Sequence, residues 1–344
     1  LENQMLAKVK KATGIDVEVW AADSVAQVFD KLGLTYSRTP KSEQPSFTKN
    51  FLANHPHEIA QAIVLAREYN KAHTTFVDTI LKHQVNGRIH AELHPLRSDD
   101  GGTVTGRFSY SNPNLQQVPS RNGKIGPLIR SLFLPEEGQK WGVFDYSSQE
   151  PRIVVHYAKL LKFQGAEAFA EQYNNDRLTD FHQMAADIVG VPRKQAKDIN
   201  LGLFYGMGKN KLAEQLGLEY EDAQELFQQY HSKVPFVKEL NDYCVNRASN
   251  RGVIRTVLGR RCRFDKWEPN RYGISKPLSY EDAFAEHGRA IRRAFTYKAL
   301  NRLIQGSAAD QTKAAMVVLR PLSYLRDLWA PGIGRQMAMC RRFF

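Results

Sequence analysis

The chain has 344 residues, a net charge of +12, a pI near 9.5 and 42% hydrophobic residues. Single cores stop growing at about 250–300 residues, so two or three lobes are expected, and the basic balance suits a polyanionic partner. No apolar run is long enough to span a bilayer or to read as a signal peptide, and three scattered cysteines, Cys244, Cys262 and Cys340, exclude a disulfide framework or a zinc spacing and suit a reducing compartment.

The sequence starts at Leu1 rather than Met and reads as a trimmed piece of something longer. Residues 1–36 alternate apolar and charged positions in a helical rhythm, and residues 37–56 are polar and Pro-containing, which predicts an exposed loop. Ile59, Ile63, Ala66, Tyr69, Phe76 and Ile80 recur at helical steps and predict one long amphipathic helix over 57–84. Residues 88–146 change to Gly-rich turns and short β-like runs. The run Trp141-Gly142-Val143-Phe144-Asp145-Tyr146 predicts a buried strand with Asp145 at its end, followed by a helix from Pro151. Residues 160–250 read as helical, Val253 to Phe264 as a hairpin around Leu258-Gly259-Arg260, and 286–319 as a final helix.

Four constellations carry chemistry. Asp145 to Glu150 sets one carboxylate at a strand end and another at a helix start; a strand end is a rigid place for a Mg²⁺ ligand, and equally Asp145 can cap a turn and Glu150 favour a helix N-terminus. Arg193, Lys197, Leu201 and Tyr205 lie four apart, a stripe of two cations, an aliphatic and an aromatic that suits phosphates followed by sugar and base, and also describes a solvated basic face. Thr103 to Ser109 with Asn112 to Gln116 holds Gly106 and Arg107, which suit degenerate minor-groove acceptors or an ordinary polar loop. Asn301 and Gln305 lie one turn apart beside Gly306, Ser307 and Ala308, where small residues permit close backbone approach or a helix–helix contact.

Together and in this order the four resemble the family A DNA polymerases: Asp145–Glu150 looks like motif A, Arg193–Gly206 like motif B, Thr105-Gly106-Arg107 with Pro113–Gln116 like the DNA-contacting palm segment, and Asn301–Asp310 like the helix before motif C. The resemblance implies an α+β, predominantly helical right-hand fold with thumb, palm carrying an antiparallel sheet, and fingers. It places the thumb at 1–95, the first palm part at 96–160, the fingers at 161–285 and the second palm part at 286–319. It also implies template-directed DNA synthesis from dNTPs on primer–template DNA, by a cytoplasmic monomer of a bacterium or phage-infected host, with two Mg²⁺ ions. Asp145 and the Tyr146 carbonyl would hold metal. Arg193, Lys197 and His182 would hold the triphosphate, with Lys197 also serving the leaving group. Leu201 would pack on sugar and base, Glu150 and Tyr205 would exclude a ribose 2′-hydroxyl, and Arg107, Asn114, Gln116, Asn301 and Gln305 would touch DNA. Taken alone, His182 reads as a packed or surface histidine.

Three departures stand out. Leu201 occupies a position where many members have an aromatic. The given residues start just before the expected thumb, so an exonuclease domain of the parent protein would lie outside this piece. Residues 320–344 lack the His-Asp-Glu hairpin of motif C, and Asp327 is the only acid after Asp310, with no strand pattern around it. The alternative to an active polymerase is therefore a fragment that binds primer–template without turnover.

Overall fold

A computed structural model describes residues 1–39, 42–98, 101–119, 123–140, 142–176, 178–204, 207–271 and 276–319. The chain divides into two compact units, residues 1–93 with 109–141 and residues 94–108 with 142–344.

Unit one begins with α1 (Glu2–Thr13) and α2 (Ala22–Lys31), a short hairpin of β1 (Ser37–Arg38) and β2 (Pro45–Ser46), α3 (Lys49–Asn54) and α4 (Glu58–Lys71). The predicted loop over 37–56 therefore contains a hairpin and a helix, the latter capped by the Thr48 hydroxyl, which accepts from the Phe51 amide at 3.2 Å. Val9, Phe29, Phe47, Leu52, Ile59 and Ile63 form its core. The long helix predicted over 57–84 runs on through a π-helical segment, Ala72–Asp78, into α5 (Thr79–Lys82). Thr74 Oγ1 donates to the Asn70 carbonyl at 2.9 Å and Thr79 Oγ1 to the Thr74 carbonyl at 3.2 Å, hydroxyl bonds that compete with the α-helical ladder. The hairpin of β3 (Gln84–Val85) and β4 (Arg88–Ile89), the pair β5 (Glu92–His94) and β6 (Ser109–Ser111), and α6 (Ile125–Arg130) complete the unit.

Unit two is mainly helical: α7 (Gln149–Leu160), α8 (Ala166–Asn175), α9 (Phe181–Val189), α10 (Arg193–Phe204), α11 (Lys209–Leu216), α12 (Tyr220–Lys233) and α13 (Pro235–Arg251). The predicted hairpin is present as β7 (Val253–Arg255) and β8 (Arg261–Arg263), followed by β9 (Trp267–Pro269), α14 (Tyr280–His287), β10 (Ile291–Arg293) and α15 (Ala299–Leu319). One core joins α7, α8, α9, α10, α13 and α15 through Val154, Phe169, Phe181, Phe204, Phe236, Leu240 and Ile304.

Two expectations are corrected. Residues 142–146 form no strand, and Val143 and Phe144 are 89% and 66% exposed. A strand exists only where a neighbour takes its backbone hydrogen bonds, and no described strand pairs with this run. The final helix starts at Ala299 rather than near 286: Gly288, at φ 60° and ψ −141°, ends α14, and Ile291–Arg293 pair with Trp267–Pro269 instead.

Candidate active site

The site in unit two is built on α7 and α15. Gln149, the first residue of α7, donates through Nε2 to the Ala308 carbonyl at 3.2 Å, Gln311 Oε1 at 3.1 Å and Thr312 Oγ1 at 3.3 Å. Two turns on, Tyr157 and Ser307 share a hydroxyl hydrogen bond of 3.2 Å, and burial lifts the Tyr157 phenol to about 12, so it stays neutral. These bonds fix the start of α7 on α15. They thereby fix Glu150, whose carboxylate suits a helix N-terminus and accepts from the Arg107 guanidinium.

Arg107 is held in turn by a junction that its own segment shares. Arg260 donates to Asp310 Oδ1 at 2.6 Å, to the Thr105 carbonyl at 2.6 Å and to the Gly306 carbonyl at 3.0 Å. Asp310 is buried and also accepts from the Thr256 hydroxyl. Gly106 stands at φ 81°, a conformation that favours glycine, and a Cβ there would press on the Arg260 guanidinium at 3.0 Å. Thr103 Oγ1 bonds the Arg107 carbonyl at 3.0 Å, and Lys313 Nζ reaches the Pro95 carbonyl at 2.6 Å. Residues 95–107 are thus laced to α15 and the β7–β8 hairpin, and Arg107 is presented from a fixed backbone.

Asp145 lies in the exposed stretch before α7, next to half-buried Tyr146. A carboxylate and a backbone carbonyl are the hard oxygen donors Mg²⁺ accepts, and this ion commonly rests on one or two carboxylates with substrate phosphates and water completing its shell. The pair fits that chemistry, and among the described residues no group of three or more acidic, His or Cys side chains is placed to hold a metal. Asp327 and the rest of 320–344 lie outside the described residues.

On α10 the expected stripe is real for three of its four members. Arg193 and Lys197 are exposed and Leu201 is half-buried, while Ala196, Ile199, Asn200 and Leu203 face the core; Tyr205 falls outside the described residues. Arg193 is paired to Asp180, at 2.7 Å from Nε and 2.5 Å from Nη2, and Asp180 also caps α9 by accepting from the His182 and Gln183 amides. Burial pushes the Asp180 carboxyl up, but the Arg193 bond and the two amides outweigh it and hold it below the usual range. His182 is buried; its Nδ1 lies 3.0 Å from Asn200 Nδ2, and Asn200 Oδ1 accepts from the Tyr230 hydroxyl at 2.6 Å. Burial lowers the imidazole's pKa, against Asp180 and with Lys197 and Arg193, so the ring accepts at Nδ1 and presents N–H at Nε2. The packed-histidine reading and the phosphate reading of His182 meet here: the ring is buried, beside the base of the stripe.

Asn301 and Gln305 are half-buried on α15, with no hydrogen-bond partner among the described residues, while Leu300, Leu303 and Ile304 beside them are buried. Asn114 and Gln116 belong to unit one; both are exposed, and Asn114 Oδ1 accepts from the Gln116 amide at 3.1 Å, capping a 3₁₀ turn.

Residues 3–326 match the family model described as DNA polymerase family A. The chain belongs to this family. It is 37% identical to a DNA-directed DNA polymerase of Pseudomonas phage M6, over 92% of this chain and 52% of that protein. It is 31% identical to the thermostable DNA polymerase I of Thermus aquaticus, over 92% of this chain and 36% of that protein. Among solved structures it is similar to the POL domain of a polymerase from M. smegmatis in complex with DNA primer-template and dNTP, with TM-score 0.70 and 25% identity over 94% of this chain and 55% of that one. The chain thus spans about half the length of the phage relative and about a third of the bacterial one.

Two of the roles expected from the sequence have direct tests. Leu201 offers an aliphatic surface in place of a ring, so Leu201→Phe is expected to change dideoxynucleotide selectivity by about tenfold, the size of a small packing difference of about 1–2 kcal/mol; equal selectivity for the two chains in competitive single-nucleotide extension would remove the assignment. Arg107→Ala is expected to weaken primer–template affinity by about three- to tenfold, whatever the sequence, as loss of one charged contact would. Titration of two unrelated duplexes checks it, and unchanged affinity for both means that Arg107 serves Glu150 alone. Thr256, Asn200 and Tyr230 were missed from sequence, and Arg260 and Asp310 were named there only as parts of a hairpin turn and of a helix, without their pairing. The one local signal was Asn200, a polar residue on an otherwise apolar helix face.

Proposed function

We propose that this chain performs template-directed DNA synthesis, joining deoxynucleotides from dNTPs to a primer 3′-hydroxyl. The observation that carries the reading is the Arg193–Lys197–Leu201 stripe, two exposed cations and a half-buried leucine with His182 at its base, a graded surface of charge then apolar packing that fits a triphosphate followed by sugar and base. In the reaction the primer 3′-oxygen bonds to the α-phosphorus, the bond to the β-phosphate's bridging oxygen breaks, and pyrophosphate leaves. Lys197 neutralises or protonates the leaving group. Arg193, released from or shared with Asp180, and the His182 Nε2–H hold the outer phosphates. Glu150, braced by Arg107, presses on the sugar together with Tyr205. Asp145 and the Tyr146 carbonyl would hold Mg²⁺, whose charge would activate the 3′-hydroxyl and stabilise pyrophosphate.

Arg107, Asn114, Gln116, Asn301 and Gln305 are assigned to primer–template DNA. The thumb is assigned to 1–95, the palm to 96–160 and 286–319, and the fingers to 161–285, in a monomer working in the cytoplasm of a bacterium or phage-infected cell. No helix among the described residues is long and apolar enough to cross a membrane. Primer extension with Mg²⁺ and the four dNTPs tests the reading. Incorporation that follows the template supports it; a folded chain that binds primer–template and never extends it overturns synthesis and leaves a binding fragment.

A further inference from the structure

Residues 247–302 contain fourteen Lys and Arg against five Asp and Glu, so about 56 residues carry +9 of the chain's +12. The β7–β8 hairpin sits in this stretch and sorts its side chains by face. Ile254 and Cys262, opposite each other, are buried in the core with Phe264. On the other face Arg255 stands directly opposite Arg261, and Arg263 stands opposite Val253; all three arginines are exposed. Like charges directly across an antiparallel pair destabilise it. No acid relieves them: among the described residues none of the three has an ion pair, and Asp265, the next acid along, makes none with them. Arg255 spends one N–H on the Gly259 carbonyl, at 3.2 Å, which aims the guanidinium without neutralising it.

The hairpin is also fixed in place. At its turn Val257 donates its amide to Ser307 Oγ at 3.0 Å and Arg260 holds Asp310; at its open end Arg302 Nη1 donates to the Arg263 carbonyl at 3.0 Å. The two strands therefore run alongside α15 from Arg302 to Asp310, the stretch that carries Gln305 and adjoins Asn301. A rigid, unneutralised cationic face beside two amides assigned to the DNA groove has the form of a backbone clamp: base edges for the amides, phosphates for the arginines.

We propose that Arg255, Arg261 and Arg263 form a phosphate-binding face for the duplex part of the primer–template. This rests on the polymerase reading above for the identity of the ligand. Each phosphate contact on duplex DNA contributes about 0.9 to the slope of log affinity against log salt.

The test is a fluorescence-anisotropy titration of a labelled duplex primer–template across salt. The R255Q/R261Q/R263Q variant is expected to show a slope shallower by about 2–3, so that between about 50 and 200 mM salt it loses about 40-fold less affinity than the parent chain. R255K/R261K/R263K keeps the charge and the slope. K162Q/K211Q/K238Q removes the same charge from exposed positions elsewhere in unit two and is expected to move the slope by less than about 0.5. Thermal unfolding of the glutamine variant is expected at or above the parent temperature, since an opposed like-charge pair is relieved; should the triple variant not fold, R261Q alone is expected to shift the slope by about 0.9. The proposal is overturned by a slope equal to the parent's, by one no different from the lysine control, or by a change seen only on single-stranded DNA. If the parent chain binds no primer–template at any salt, the polymerase reading fails; if the parent binds and the arginine variant keeps its slope, this inference alone fails.

Discussion

Asp145→Ala is expected to lower Mg²⁺-dependent primer extension by about 10³-fold while primer–template affinity changes by no more than about twofold. The two halves of that statement have separate causes. Asp145 is exposed and packs against nothing that the core needs, so its removal should alter stability by no more than about 0.5 kcal/mol. Its role lies in the charge it brings to a divalent ion at the moment of phosphoryl transfer. Losing several kcal/mol of such stabilisation corresponds, at about 1.4 kcal/mol per tenfold, to roughly three decades in rate. Asp145→Asn, which keeps the shape and discards the charge, should fall nearly as far. Single-turnover extension at saturating dNTP measures this, and extension within about tenfold of the parent would mean that Asp145 is not a metal ligand.

The second large effect is on stability. Arg260→Ala is expected to cost about 2–4 kcal/mol in urea unfolding, because it removes the donor to three acceptors at once and strands Asp310, which is only 9% exposed, with the Thr256 hydroxyl as its remaining partner. Arg260 itself is a third exposed, which keeps the figure below the upper end seen for fully buried pairs. Arg260→Lys should recover less than half of the loss: one ammonium cannot serve Asp310, the Thr105 carbonyl and the Gly306 carbonyl together. Adding Asp310→Asn to Arg260→Ala should recover about 1 kcal/mol, since the stranded charge disappears with its partner. Additive costs in the double variant would show that the two residues do not act as a pair.

What the sequence made legible followed locality. Arg193, Lys197 and Leu201 fall on one helix stripe, its two cations exposed, because a spacing of four is settled within a single helix, and the hairpin around Gly259 is settled within a dozen residues. The misreadings are non-local. Val143 and Phe144 have β-forming side chains, yet strand formation depends on a partner that their own sequence does not contain. Residues 291–293 satisfy a helical pattern, yet Trp267–Pro269 claim their backbone. The junction of Arg260, Asp310 and Thr105 joins segments far apart in the chain, and none of the three residues is unusual where it stands. Tyr205, part of the expected site, and residues 320–344, which stand where motif C was expected and lack it, lie outside the described residues.

That junction sets a schedule for synthesis on the ribosome. Thr105 and Arg260 are 155 residues apart, and Arg260 and Asp310 another 50. At translation speeds of about 5–20 residues per second, the loop bearing Arg107 emerges about 10–40 seconds before Asp310 does. For most of that interval Gly106 has no guanidinium to pack against, and Arg260, once made, still lacks Asp310, while Arg107 already has Thr103 and Glu150 as neighbours. The nascent chain therefore carries this segment as a loop short of its final partners until α15 arrives.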